Sequence, residues 1–218
     1  MYKAKCIFFD FDGTLVDSER IYQHFWRLAA SKLSYNLRKE DTLQLRSADP
    51  AYGKKLLQNK YGLDFPFNQI REERKRLMNI YLKDHNYSLK KGSKEFLEYL
   101  KNLSIPAYIV TAGAKEPVKE VITKLNIKEL IKDVISAKDV ARGKPYPDPY
   151  LKAIEISQYK KEDILVIEDA PNGIESAFAA GLKVIMVDDL TKATSLEKER
   201  IILEVDNLTF FHHYLKFE

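Results

Sequence analysis

Two acids, Asp10 and Asp12, end an apolar run of Cys6, Ile7, Phe8 and Phe9 and are followed by Gly13 and Thr14. Residues i and i+2 of a strand point the same way, so both carboxylates leave the end of a buried strand toward one small volume. At about 4 Å two such charges repel by on the order of 4 kcal/mol at an effective dielectric of about 20. The pair needs a cation or a shared proton, although the segment by itself also fits a solvated turn after a core strand. Further apolar runs end in groups of complementary kind. Tyr108, Ile109 and Val110 lead into Thr111, Ala112 and Gly113, which offer a hydroxyl and bare amides. Leu165, Val166 and Ile167 lead into Glu168 and Asp169, ahead of a helix of small residues. Between them, a turn stiffened by Pro145, Pro147 and Pro149 fixes Lys144 ahead of another helix.

Each piece has a plainer reading. Thr111 and Gly113 can be a helix cap and its turn, Lys144 a surface charge, and Glu168 with Asp169 a helix start favoured by the dipole. Together they bring up to four carboxylates, one hydroxyl and one ammonium to a single place, and burying such charges without a ligand is too costly. A hard divalent cation resolves the conflict. Oxygen donors with no histidine or cysteine beside them point to Mg2+. An EF-hand for calcium is excluded, because Asp10, Asp12 and Gly13 lack the third acid before the glycine and the closing glutamate.

The elements that must hold these residues follow from periodicity. Short apolar runs at Ala107 to Val110, Val134 to Ile135, Ile164 to Ile167 and Val184 to Val187 alternate with amphipathic stretches, which predicts an α/β fold with a parallel sheet covered on both faces. The run ending in Asp10 should join that sheet, and ligands of such sheets sit beyond the carboxyl ends of the strands. From about Ser18 to His85 the pattern is helical instead, with Ile21, Phe25, Leu28 and Ala29 on one face and Ile70, Leu77, Met78 and Tyr81 on another. The expected division is a core of residues 1–17 and 87–218 with an all-helical insertion of residues 18–86. Hinges are expected near Val16 to Ser18 and Asn86 to Gly92.

With 218 residues and 45% apolar content the chain can bury a full core. Its 36 basic and 32 acidic residues are intermixed, so no basic stripe for nucleic acid stands out, and charged stretches such as Arg71 to Arg76 read as solvated helix faces. The lone Cys6 reads as a small buried hydrophobe, and the expected compartment is the reducing cytoplasm. No signal peptide and no run of about 18 apolar residues is visible, so no membrane partner is expected.

Four segments in order resemble the haloacid dehalogenase (HAD) superfamily, in its branch of helical-cap phosphatases and β-phosphoglucomutase-like enzymes. They are DFDGTLVDS at Asp10 to Ser18, VTAG at Val110 to Gly113, GKPYPDPY at Gly143 to Tyr150 and IEDAPNGIESAFAAG at Ile167 to Gly181. The resemblance implies a Rossmann-like core and a phosphatase of small phosphorylated metabolites; a monomer is expected, with a dimer as the alternative. Asp10 is implied as the nucleophile forming an aspartyl-phosphate and Asp12 as the acid and base. The Asp10 carboxylate, the Asp12 carbonyl and Asp169 are implied as magnesium ligands, with Glu168 as ligand or support. Thr111, Ala112, Gly113 and Lys144 are implied to hold the phosphoryl oxygens.

The cap departs from the β-phosphoglucomutase pattern. Tyr22 stands where that pattern has histidine, and the loop from Leu45 to Pro50 lacks its glycine while keeping Arg46. Tyr22 and Arg46 are the substrate candidates of the cap, a solvated arginine being the plainer reading of Arg46. The departures favour a phosphatase over a phosphomutase, which stays the alternative, and a non-catalytic binding protein is disfavoured because Asp10, Asp12 and Lys144 are all present. Trp26 reads as core, Asp17 and Ser18 as a helix cap, Gly173 as a turn residue, and His212 with His213 as the end of a packed helix.

Overall fold

The computed structural model describes residues 2–211 and 215–216; His212 and His213 lie outside the described residues. A two-residue strand β1 (Tyr2–Lys3) pairs in parallel with β8 (Leu215–Lys216), apart from the main sheet. That sheet is parallel throughout and runs β4 (Asp133–Ser136), β3 (Ala107–Thr111), β2 (Cys6–Phe9), β5 (Ile164–Glu168), β6 (Lys183–Val187), β7 (Leu203–Val205). The four strands expected after residue 92 all form, and β7 is an addition. Its three residues are half-buried with Glu204 at the centre, too short and too polar a run to stand out.

Period two sorts the strands onto two faces. Ile7, Phe9, Ile109, Leu165, Ile167, Ile185 and Val187 enter one apolar cluster with α5 (Ser93–Asn102) and α6 (Lys115–Lys124). Cys6, Phe8, Tyr108, Val110, Ile164, Val166, Val184 and Met186 enter the other, with α7 (Asp148–Ser157) and α8 (Pro171–Ala179). A short α9 (Ser195–Lys198) precedes β7. Cys6 is unpaired and buried in β2.

Between β2 and α5 run only helices: α1 (Glu19–Lys32), α2 (Lys39–Leu43), α3 (Pro50–Tyr61) and α4 (Phe67–Asp84). They form an all-helical cap with its own apolar cluster, including Trp26, Ala29, Leu57, Phe65 and Ile70. The two connections to the core lie against each other. The Asp17 N–H donates to the Ser88 carbonyl at 2.9 Å, the Lys90 N–H to the Leu15 carbonyl at 2.9 Å, and Ser93 Oγ to the same carbonyl at 2.9 Å. Among the described residues no helix is long and apolar enough to cross a membrane.

Candidate active site

Strand order puts β2 between β3 and β5, where successive connections leave in opposite directions, and the register pairs Phe9 with Ile167. Asp10 and Glu168 therefore emerge side by side from neighbouring strands at the crevice such a reversal opens. By parity Asp10 continues the face of Phe8, and Glu168 that of Val166, which is the face covered by Tyr150. Asp12 does not share that strand: β2 ends at Phe9, and Asp12 sits in the following loop, bridged to Val16. The two acids consequently have different hydrogen-bond partners, although the charge of Asp10 still acts on Asp12.

Lys144 is fully buried and ties the first group together. Its Nζ donates to Asp10 Oδ1 at 2.6 Å, Glu168 Oε1 at 2.6 Å and the Val110 carbonyl at 2.8 Å. Tyr150 donates its hydroxyl to the same Glu168 Oε1 at 2.7 Å. Burial would lower the Lys144 ammonium, but the charges of Asp10 and Glu168 beside it raise it, so it stays a cation. Removing Lys144 would leave two buried carboxylates uncompensated, at a cost of about 3–5 kcal/mol or more. Asp10 Oδ2 is buried with no hydrogen-bond partner among the described residues.

Asp10, Glu168 and Asp169 each bring a carboxylate oxygen within 4.8 Å of the others. Burial, then the charge of Asp10, pushes Glu168 up to about 7. Asp169 is raised well above its usual range by burial, with Arg46 opposing and Asp10 and Glu168 adding to the rise. Crowded acids pushed toward protonation, beside an orphaned carboxylate oxygen, are what a cation would relieve. The residues present fit a hard divalent ion such as magnesium.

Two glycines make room for this cluster. Gly13 has φ 83°, and a Cβ there would lie 2.4 Å from Asp169 Oδ2. At Gly173 a Cβ would lie 1.9 Å from Glu168 Oε1. Gly173 is inside α8 rather than in a turn, so its lack of a side chain serves the close approach of Glu168 and not a backbone bend. Asp169 also accepts from Thr14 Oγ1 at 3.2 Å.

Asp12 belongs to the cap connection. Ser18 occupies the position before α1 yet makes no side-chain capping bond; its Oγ donates instead to Asp12 Oδ1 at 2.6 Å. Burial raises the Asp12 carboxyl to about 6, the Ser18 bond opposing and the charge of Asp10 assisting. Thr111 ends β3 and is buried, and its Oγ1 accepts from the Gly113 N–H at 2.9 Å within its own loop.

Residues 7–187 match the family described as haloacid dehalogenase-like hydrolase. The chain belongs to this family. Among curated relatives of this HAD protein, Hexitol phosphatase A of Escherichia coli is 29% identical over 204 residues, covering 92% of this chain and 91% of that one. The phosphorylated carbohydrates phosphatase of Thermotoga maritima is 25% identical over 185 residues, covering 83% of each. The fold matches that of a hydrolase from Pseudomonas syringae (TM-score 0.84, 21% identity, 96% of this chain and 97% of that one). It also matches β-phosphoglucomutase from Clostridium difficile (TM-score 0.78, 18% identity, 94% and 92%).

The HAD cap closes on this core through Arg46, which is buried and not a solvated surface residue. Its Nη1 donates to Asp169 Oδ2 at 3.3 Å and its Nη2 to Thr191 Oγ1. Asn172 Nδ2, at the start of α8, donates to the carbonyls of Gln44 at 2.9 Å and Arg46 at 2.8 Å. The Asp49 N–H, at the start of α3, donates to the Lys144 carbonyl at 2.8 Å. Tyr22 lines the same side of the cap, under the charge of Asp12.

Sequence reasoning missed Thr14, Ser18, Glu19, Arg74, Tyr150 and Asn172. Glu19 is buried and held well above the usual carboxyl range by burial, then by Asp169 and Asp12, whereas an acid in a first helical turn reads as a surface feature. Arg74 lies in the stretch read as solvated, but its guanidinium turns inward over the rings of Tyr22 at 4.9 Å and Trp26 at 4.8 Å from the centroids. The available signal was its spacing from Ile70 and Met78, four residues on either side.

Proposed function

We propose that this HAD hydrolase is a magnesium-dependent phosphatase of small phosphorylated metabolites, sugar phosphates or short organic phosphates, working through an aspartyl-phosphate on Asp10. The observation that carries the reading is the Asp10 carboxylate: Lys144 anchors Oδ1 while Oδ2 is buried and unpartnered. In the first half-reaction Oδ2 attacks phosphorus, the bond from phosphorus to the leaving oxygen breaks, and Asp12 gives its proton to that oxygen. In the second, Asp12 takes a proton from water as the water oxygen attacks phosphorus, and the bond to Asp10 breaks. The products are the alcohol and inorganic phosphate, and both aspartates return to their starting state.

Asp10, the Asp12 carbonyl and Asp169 would hold the magnesium ion, Glu168 acting as a ligand or as the support that Lys144 and Tyr150 position. Bound there, the ion supplies charge neutralisation for the transferring phosphoryl group. Lys144 supplies positive charge beside Asp10, and Thr111, whose hydroxyl is oriented by the Gly113 N–H, offers its proton to a phosphoryl oxygen, with Ala112 and Gly113 framing that loop. Closure of the cap excludes water other than the attacking one.

The experiment is a screen of phosphorylated metabolites for phosphate release, with β-glucose 1-phosphate isomerisation run alongside. Phosphate release that is lost on chelation and restored by magnesium is expected. Isomerisation with organic phosphate retained and none released would replace this reading by a phosphomutase.

A further inference from the structure

Six buried side-chain polar atoms have no hydrogen-bond partner among the described residues, and they divide by region. In the core they are carboxylate oxygens, Asp10 Oδ2, Asp188 Oδ1 and Asp189 Oδ2; in the cap they are Gln23 Nε2, Arg74 Nε and Ser47 Oγ. Carboxylate oxygens call for a cation: the metal reading above supplies one to Asp10, and the ammonium groups of Lys192 and Lys90 lie beside Asp188 and Asp189. Amide and guanidinium nitrogens can only donate, so the cap calls for an acceptor of the opposite kind.

Two of the three cap residues, Gln23 and Arg74, belong to α1 and α4, which pack on each other. Glu19, Tyr22, Gln23 and Trp26 follow the spacing i, i+3, i+4, i+7 and so share a stripe of α1, headed by Glu19 in the site. Arg74 of α4 faces that stripe, its guanidinium over the Tyr22 and Trp26 rings. Its charge acts on Asp12 and Glu19, which puts it toward the reacting end of the cap and not toward solvent. The other cations around the site are already paired: Lys144 with Asp10 and Glu168, Arg46 with Asp169, Lys90 with Asp189. On α4 itself Arg71 pairs with Glu72 and Arg76 with Glu73, while no ion pair to Arg74 is present among the described residues. A covered guanidinium resting on two rings, with its Nε bare, keeps its charge and one donor for something that arrives.

We infer that Arg74 is a specificity-determining residue that binds a second oxyanion, a carboxylate or a phosphate, on the leaving portion of the substrate. Gln23 adds a neutral donor to the same group. The inference rests on the phosphatase reading and narrows it: the substrate carries two anionic ends, one at Asp10 and one at the α1–α4 wall.

Two matched pairs test it. Glycerol 3-phosphate and 3-phosphoglycerate differ in a carboxylate, and fructose 6-phosphate and fructose 1,6-bisphosphate differ in a phosphate. The wild-type protein is expected to favour the more anionic member of one pair by tenfold or more in kcat/KM, and that pair identifies the oxyanion. Arg74→Met, which keeps bulk over the rings, should reduce that ratio at least tenfold, and Arg74→Lys should restore part of it. Because the ratio compares two substrates in one protein, a general loss of folding or activity does not move it. A ratio that is the same in the wild-type protein and in Arg74→Met for both pairs overturns the inference and leaves the phosphatase reading standing. Release of phosphate from none of the four, with release from singly anionic members of the metabolite screen, overturns the inference alone; release from no compound of the screen overturns both.

Discussion

The core and the cap differ in how much of each element they bury. All four residues of β2 and all five of β3 and of β5 are buried, whereas the eighteen residues of α4 bury Phe67, Ile70 and Met78. In the core, a polar side chain at a strand end has its direction dictated by the packed residues before it, and Asp10, Thr111 and Glu168 inherit fixed positions. In the cap, a thin apolar stripe is enough for folding, so the inner face is free to carry Tyr22, Gln23, Arg46 and Arg74. On the function proposed above, chemistry resides where packing leaves no latitude, and substrate choice where it leaves much.

The largest effect that would break this division is expected at Asp10. Asp10→Asn keeps size and removes the nucleophile, and phosphate release should fall by about three orders of magnitude or more. Retained magnesium-dependent turnover in a preparation free of host phosphatases would show that the core does not hold the chemistry. Gly173→Ala sharpens the claim that core geometry has no slack. Its methyl would overlap the Glu168 carboxylate, and a loss of about 1–3 kcal/mol in stability together with most activity is expected from thermal melting and the same assay.

Asn172→Ala probes the seam between the two regions. Losing its two bonds to the Gln44 and Arg46 carbonyls should destabilise closure by about 1–3 kcal/mol, seen as faster amide exchange over residues 44–49 with little change in melting temperature. Exchange that is unchanged would mean that the cap is held elsewhere.

The smallest effect expected is within the cap. Burial would raise the Asp41 carboxyl, but bonds from Lys60, Tyr61 and the Arg38 N–H outweigh it, and the group lies below its ordinary range. A depressed carboxyl stabilises above its unfolded value, and that stability is lost as pH falls through the folded one. Asp41→Asn should therefore melt lower at neutral pH and approach the wild-type protein in acid; parallel curves at every pH would remove Asp41 from the account.

What was legible in the sequence follows the same line. Apolar runs ending in Asp10, Thr111 and Glu168 were visible because a buried parallel strand has a continuous apolar signature, and the polar residue after it stands out. Ser18 and Glu19 were hidden, since a serine followed by an acid is the ordinary start of a helix; only the tertiary fold turns Ser18 toward Asp12. Arg74 was masked by the charges around it, and the three-residue β7 by Glu204. Gly173 was noticed but assigned to a turn, because a close approach from a strand five residues earlier leaves no local mark.

Lys144 meets the cap and the site through different atoms of one residue. Its ammonium grips Asp10 and Glu168, and its carbonyl receives the Asp49 N–H from the start of α3. On the function proposed above, lifting the cap to exchange product for substrate would detach a partner from the backbone of the residue whose side chain grips Asp10. The doorway and the reacting group thus share one residue as a fastening.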